Sequence, residues 1–488
     1  MRSRTPGTFS ITASLHKQFA KLSGDWNPIH VNPVEARRTQ IGRPIVHGVH
    51  SVLRILEALA RVKPGLPAAS KISVSFPAPV FPGDSCAVSI EDASPDRLRV
   101  RARVGEIVVV DTRVELGSPH DLSTIAGPLR TEDTRHCRVW SLHDMASASG
   151  MVLASSGAAE IARAFPKITK WLGVGPVMGL MCVSKLVGME CPGRYSILAG
   201  FDVALAADAL QPRLAYRVSR LNQQFHSLKI DIDGFGMHGN IQALAANPPV
   251  AQVSMSELAD KVGRDEFLGH RALVVGGSRG LGEVTAKLIA AGGGVPVITY
   301  ATGKKDAERV RDEIRHAGGR CEILRYNVLA PAAPQLRLLK RSVSSFYYYA
   351  TPPIFGRLSG QHSATLDPAR LSTFARYYVK GFDGLCRALL KNGKDLAGFY
   401  PSSVAIEEKR PEMREYAEAK AAGEALCTHL SATFSSVHIL VERLPRMLTD
   451  QTATPVPTKT ADSVETLLSI IRKLSALSAD ASHNDSSS

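Results

Sequence analysis

The chain has 488 residues, 44% of them hydrophobic and 21% charged, which fits two to four soluble domains with real cores and excludes a fibrous or disordered class. Its net charge of +14 lies in scattered pairs such as Arg37-Arg38, Lys304-Lys305 and Lys340-Arg341. No nucleic-acid-binding motif accompanies them, which leaves a basic surface attractive to phosphate-bearing ligands.

Seven cysteines without a CxxC spacing argue against a disulfide framework or a zinc site. The stretch from Met1 to Pro6 lacks the apolar core of a signal peptide, and the apolar run 171–184 is too short to span a bilayer. A cytoplasmic protein without a membrane span is therefore expected.

The first landmark is Ser23-Gly24-Asp25-Trp26-Asn27-Pro28-Ile29-His30, followed by Gly42-Arg43-Pro44-Ile45-Val46-His47-Gly48. A carboxylate and an imidazole five positions apart in a Gly/Pro-punctuated loop suit proton transfer and water activation without a metal. Val49, Val52, Leu53, Ile55, Leu56 and Leu59 then cover nearly every face of one helix, the mark of a buried helix. Strands follow at 88–90 and 98–104, the latter alternating with period two. An aspartate that only caps a turn and a histidine satisfied in the core would not call for the rest of the string.

Over Phe19 to Leu59 this pattern resembles the signature of the MaoC-like (R)-specific enoyl-CoA hydratases and 3-hydroxyacyl dehydratases, whose hot dog fold wraps a sheet around one long helix. The resemblance implies an acid/base pair of Asp25 and His30, with Asn27 orienting the loop. It also implies that the backbone N–H of Gly48 polarises a thioester carbonyl, where a preorganised donor stabilises developing enolate charge.

The middle of the chain predicts helices near 155–165 and 174–186, then a series of strands beginning at Gly188 to Ser196 and continuing at 214–218, 227–232 and 240–245. This looks like a second hot dog repeat without the catalytic string, closing a pseudo-dimer within one chain. His226 and His238 are expected to face solvent or serve structure. Turn-rich stretches at 117–131 and 247–264 mark the boundaries.

The second landmark runs from Ala272-Leu273-Val274-Val275 through Gly276-Gly277-Ser278-Arg279-Gly280-Leu281-Gly282 into a helix. Strand, glycine loop and helix together let a pyrophosphate approach a helix N-terminus. The loop resembles the TGxxxGxG of short-chain dehydrogenases/reductases, with Val275 where that family usually has Thr. Tyr416 and Lys420, four apart, share a helix face where the cation could lower the phenol's pKa. Ser403 stands thirteen positions upstream, where the family places the serine that holds the substrate carbonyl.

No acid ends the strand 295–300, while Arg279 and Lys304-Lys305 offer cations to a 2′-phosphate, so NADP(H) is expected, with Gly276, Ser278, Arg279, Gly280, Leu281, Gly282, Lys304 and Thr449 as its contacts. The chain departs from the family at Tyr348-Tyr349-Ala350-Thr351, at Tyr378 in place of a relay asparagine, at Asn327 and at Pro445-Arg446.

The expected architecture is an α+β hot dog pair followed by an α/β Rossmann-type doubly wound parallel sheet. Its divisions are 1–125 with the catalytic string, 126–260 without it, 265–475 as the reductase-like unit, and 478–488 as a disordered tail. The expected function is bifunctional: NADPH-dependent reduction of 3-oxoacyl thioesters, and dehydration or hydration between (R)-3-hydroxyacyl and trans-2-enoyl thioesters. The partners are acyl-CoA or an acyl carrier protein thioester, and a homo-oligomer is expected. The alternatives are a hydratase with a degenerate nucleotide-binding domain, or a non-catalytic thioester or nucleotide sensor.

Overall fold

The computed structural model describes residues 4–117, 131–132, 135–205, 211–355, 366–390, 395–454 and 458–484. The boundary stretch 118–130 and the last four residues, 485–488, lie outside the described residues.

The first half contributes β1 (Arg4–Ser10), β2 (Ala68–Ser75), β3 (Ser85–Ala93), β4 (Arg97–Val104) and β5 (Ile107–Gly117). The expected helix is Gly48–Val62, and all six of its named apolar side chains are buried. Each contributes about 1.5–3 kcal/mol by leaving water. The second half adds β6 (Ser149–Val152), β7 (Ser196–Leu205), β8 (Leu214–Asn222), β9 (Ser227–Gly234) and β10 (Met237–Ala245). Its own long helix is Val174–Lys185.

All ten strands form one antiparallel sheet in the order β1-β3-β4-β5-β2-β7-β10-β9-β8-β6. Each half therefore repeats the same internal order, and the halves meet edge to edge at β2 and β7. Residues from both long helices share a single core beneath this sheet. Glu57 of the first helix accepts from the N–H groups of Lys167 and Ile168 at 3.0 and 2.8 Å, tying it to the start of the helix Pro166–Leu172.

Two expectations are corrected here. The stretch at Gly188 does not begin a strand: Leu186–Glu190 is a π-helical turn continuing the long helix, and β7 starts only at Ser196. The tail expected from Ser478 is helical through Asn484 as the end of Ser463–Asn484, a helix whose Leu467, Leu468, Ile470, Ile471 and Leu474 are buried at helical spacing.

The last part holds β11 (Arg271–Val275), β12 (Val295–Tyr300), β13 (Glu322–Arg325), β14 (Ser345–Tyr348), β15 (Leu396–Ser403) and β16 (Val437–Leu444). They form one parallel sheet in the order β13-β12-β11-β14-β15-β16, with a core on each face. This is the doubly wound Rossmann arrangement, whose ligand crevice lies where the order reverses between β11 and β14. Among the described residues no single helix is long and apolar enough to cross a membrane.

Candidate functional site

Local chemistry builds the first site. Gly24 ends the helix Ala13–Ser23 in the left-handed conformation at φ 74°. Asn27 then caps the short helix Pro28–Val31, its side chain accepting from the Ile29 N–H at 3.0 Å, with Pro28 in the first turn. The Asn27 side-chain amide donates to the Gly188 carbonyl at 2.8 Å, which fixes the loop against the second half.

Asp25 and His30 emerge on the same side, with His30 Nε2 3.9 Å from Asp25 Oδ2. Backbone carbonyls set the imidazoles: His30 Nδ1 donates to Ile45 at 2.8 Å, His16 Nε2 to His30 at 3.0 Å, and His47 Nε2 to Asp25 at 3.0 Å. A carbonyl only accepts, so each of these nitrogens carries the hydrogen. His30 thus turns its Nε2 toward Asp25. Ser184 reaches in from the second half and donates to Asp25 Oδ2 at 2.7 Å, while Oδ1 accepts from the Asn27 N–H at 3.2 Å.

Burial dominates the charge states. It pushes Asp25 above the usual carboxylate range, against the opposing pull of His30, Ser184 and Asn27. It drives His47 well below the ordinary imidazole value and His16 down to about 4, so both are neutral at pH 7. One ring nitrogen from each of His16, His30 and His47 lies within 4.8 Å of the other two, a spacing that could also hold a metal ion. Gly48 opens the helix Gly48–Val62, whose N-terminus no side chain caps, and its amide remains a candidate donor to a thioester oxygen.

The second site is a cavity of about 520 Å³ at the crevice of the parallel sheet. Gly276, Ser278, Arg279, Gly280, Leu281 and Gly282 line it, as do Ser403, Tyr416, Lys420 and Thr449. Glycine is required at two of these positions: Gly276 has φ +80°, and a Cβ on Gly282 would lie 2.4 Å from the Gly276 carbonyl oxygen. The helix Gly280–Ala291 begins without a side-chain cap, so the loop has both the room and the free N–H groups to cradle a dinucleotide pyrophosphate.

Tyr416 hydrogen-bonds Ser403, as their spacing suggests, but its phenol is raised by burial, with Ser403 opposing. The expected lowering by Lys420 does not occur. Lys420 Nζ donates to the Pro401 carbonyl at 2.5 Å and stands 4.0 Å above the Tyr378 ring, against 5.8 Å from that of Tyr416. Burial also pulls Lys420 down to about 7. Tyr378, in the asparagine's place, stacks edge-on to Tyr416 and shares a 2.5 Å hydroxyl contact with Thr351.

Lys304 stands apart from the other expected contacts. It is 63% exposed, its Nζ sits 3.5 Å from Glu308, and it does not line the cavity. As the first residue of the helix Lys304–His316 it points into solvent. Arg279 does line the cavity, but Asp450 Oδ2 takes its Nη1 at 3.1 Å.

Sequence reasoning missed Ser184, His16, His47, Arg37 and Asp450 at these sites. Each reaches its site only beside a neighbour distant in sequence. His238 is exposed and His226 half-buried.

Fold and site together define a chain with a hot dog unit bearing a buried Asp/His pair and a Rossmann-type unit bearing a Ser/Tyr/Lys set. Residues 3–114 match the family model of the MaoC like domain, so the N-terminal part is a MaoC-like domain. The chain is 41% identical over 101 residues to a 3-hydroxybutyryl-CoA dehydratase of Methylorubrum extorquens, covering 19% of this chain and 64% of that protein. It is 26% identical over 226 residues to an uncharacterised oxidoreductase of Mycobacterium tuberculosis, covering 41% of this chain and 62% of that one. It thus spans less than two thirds of either relative. A dehydrogenase/reductase of Sinorhizobium meliloti 1021 is similar at 20% identity and a TM-score of 0.36, covering 43% of this chain and 88% of that structure.

Proposed function

We propose that this protein is a bifunctional acyl-thioester enzyme that interconverts (R)-3-hydroxyacyl and trans-2-enoyl thioesters at Asp25/His30 and reduces 3-oxoacyl thioesters with NADPH at Ser403/Tyr416. Residues 1–125 and 126–260 are two hot dog copies, a reading supported by their repeated strand order. Residues 265–475 are the reductase unit. The thioester carrier is coenzyme A or an acyl carrier protein.

The observation that carries the reading is the fixed orientation of His30, whose Nδ1–H is held by Ile45 so that Nε2 faces Asp25. In dehydration, His30 Nε2 accepts the proton from the carbon next to the thioester carbonyl. Asp25, kept protonated to higher pH by burial, delivers a proton to the departing hydroxyl, which leaves as water. The Gly48 N–H steadies the negative charge on the thioester oxygen. Hydration reverses each transfer.

In the reductase unit the nicotinamide cofactor, when bound, supplies the hydride. Tyr416 gives its phenolic proton to the substrate oxygen, and Ser403, bonded to Tyr416, positions that oxygen. Lys420 holds the strand end at Pro401 and contributes partial charge.

The test follows enoyl-thioester absorbance with crotonyl-CoA and NADPH oxidation with acetoacetyl-CoA. Both signals are expected in the wild type. Hydration without NADPH oxidation would reduce the function to that of a hydratase on a nucleotide-binding scaffold, and neither signal would overturn it.

A further inference from the structure

The rim of the reductase cavity is not made by the reductase unit alone. Arg37 and Gly42, from the loop that follows His30, line it as well. Gly42 packs on Pro353, where an added Cβ would come within 2.8 Å. Arg37 passes over Gly303, where only the absence of a side chain leaves space, because a Cβ there would meet its Nη2 at 1.7 Å. Arg37 Nη1 lies 3.4 Å from Thr302 Oγ1 in the turn after β12.

That turn is where a Rossmann sheet meets the adenosine ribose: a carboxylate there accepts from a free 2′-hydroxyl, whereas an arginine there receives a 2′-phosphate. Asp306 is the acid nearest the end of β12 in sequence, and both of its oxygens are engaged, Oδ2 by Arg37 and Oδ1 by Arg38. It is 3% exposed and has nothing left to offer a ribose diol. Arg279 donates to the Arg37 carbonyl at 2.5 Å, so three guanidinium groups gather around the two carboxylates Asp306 and Asp450. Glu35 is divided between Arg38 and Arg194. Arg37 Nε is buried without a hydrogen-bond partner.

We infer that Arg37, supplied by the MaoC-like unit, is the residue that selects a 2′-phosphorylated adenosine cofactor in the reductase cavity, with Thr302 beside it and Asp306 masked. The inference rests on reading that cavity as a nicotinamide-cofactor site. Its consequence is that the first unit takes part in cofactor choice by the second.

The test is binding, measured by calorimetry on the full chain with adenosine 2′,5′-bisphosphate against adenosine 5′-monophosphate, and with NADPH against NADH. Loss of a charge-assisted hydrogen bond to phosphate costs about 1.5–3 kcal/mol, so Arg37→Gln is expected to weaken the 2′-phosphorylated ligands about ten- to hundredfold. NADH and the monophosphate should hold within about threefold. Arg37→Lys, which keeps the charge, should fall between. Thermal melting of each variant separates lost contact from lost fold.

A wild type that prefers NADPH, with Arg37→Gln and Arg37→Lys retaining the full preference, overturns the inference and leaves the proposed function standing. Equal weakening of all four ligands by a folded Arg37→Gln also overturns it, because Arg37 would then only hold the units together. A wild type that binds none of the four removes the cofactor reading and this inference with it.

Discussion

At Asp25 the Asp/His string is complete and its surroundings reinforce it, whereas at Tyr416 the spacing is complete and its surroundings work against it. Three backbone carbonyls fix the imidazoles around Asp25, and a serine from another element completes the carboxylate's hydrogen bonds. Around Tyr416 burial raises the phenol, and the lysine meant to charge the site leans on the Tyr378 ring while burial pulls its own value down. Spacing along a helix delivers groups to a place. The side chains that arrive from elsewhere decide their protonation.

The sharpest way to break this comparison is Asp25→Asn, expected to lower crotonyl-CoA hydration on the order of 10³-fold while NADPH oxidation with acetoacetyl-CoA holds. Loss of both activities in a folded variant would mean that the sites are not separate. Tyr416→Phe is the converse, with NADPH oxidation falling about 10²-fold and hydration unaffected. A Tyr416→Phe variant as fast as the wild type would show that the raised phenol has already been replaced by another proton donor.

Ser184→Ala comes next, because it asks whether the half without the string belongs to the site. Losing a hydrogen bond to a buried carboxyl should slow hydration about tenfold with little change in melting temperature, and an unchanged rate would make Ser184 packing only. The last effect is on stability. Lys420 has its folded value depressed from 10.5 to about 7, so between those limits the unfolded chain binds more protons. The stability contribution is fully present above 10.5 and is lost as pH falls through about 7. Lys420→Met should therefore flatten the rise in stability between pH 7 and 10 in denaturant titrations, and an unchanged slope would contradict a buried, poorly charged lysine.

Much of this was legible along the chain. The all-round apolar helix at 49–59, the strand at 98–104 and the strand–glycine–helix unit at 272–290 are local patterns, set by side-chain period and by glycine's backbone freedom, and they appear where those patterns place them. Asp25, His30, Ser403 and Tyr416 were likewise named by spacing, and the structure brings each pair together. Ser184 and Arg37 were not legible. A serine inside an apolar helix and an arginine in a basic pair carry no signal until the chain places Asp25 and Thr302 next to them. The charge of Lys304 was visible too, but not the direction of its side chain, which stands beside Glu308.

The sequence by itself therefore determined the two kinds of unit, their order and the groups that can move protons, because periodicity and short spacings act within a few residues of backbone. Only the tertiary structure decided that the second half closes the first site and that the first unit walls the second cavity. It alone also decided which buried groups keep their charge, because desolvation and guanidinium–carboxylate pairing depend on what packs against a residue from far along the chain.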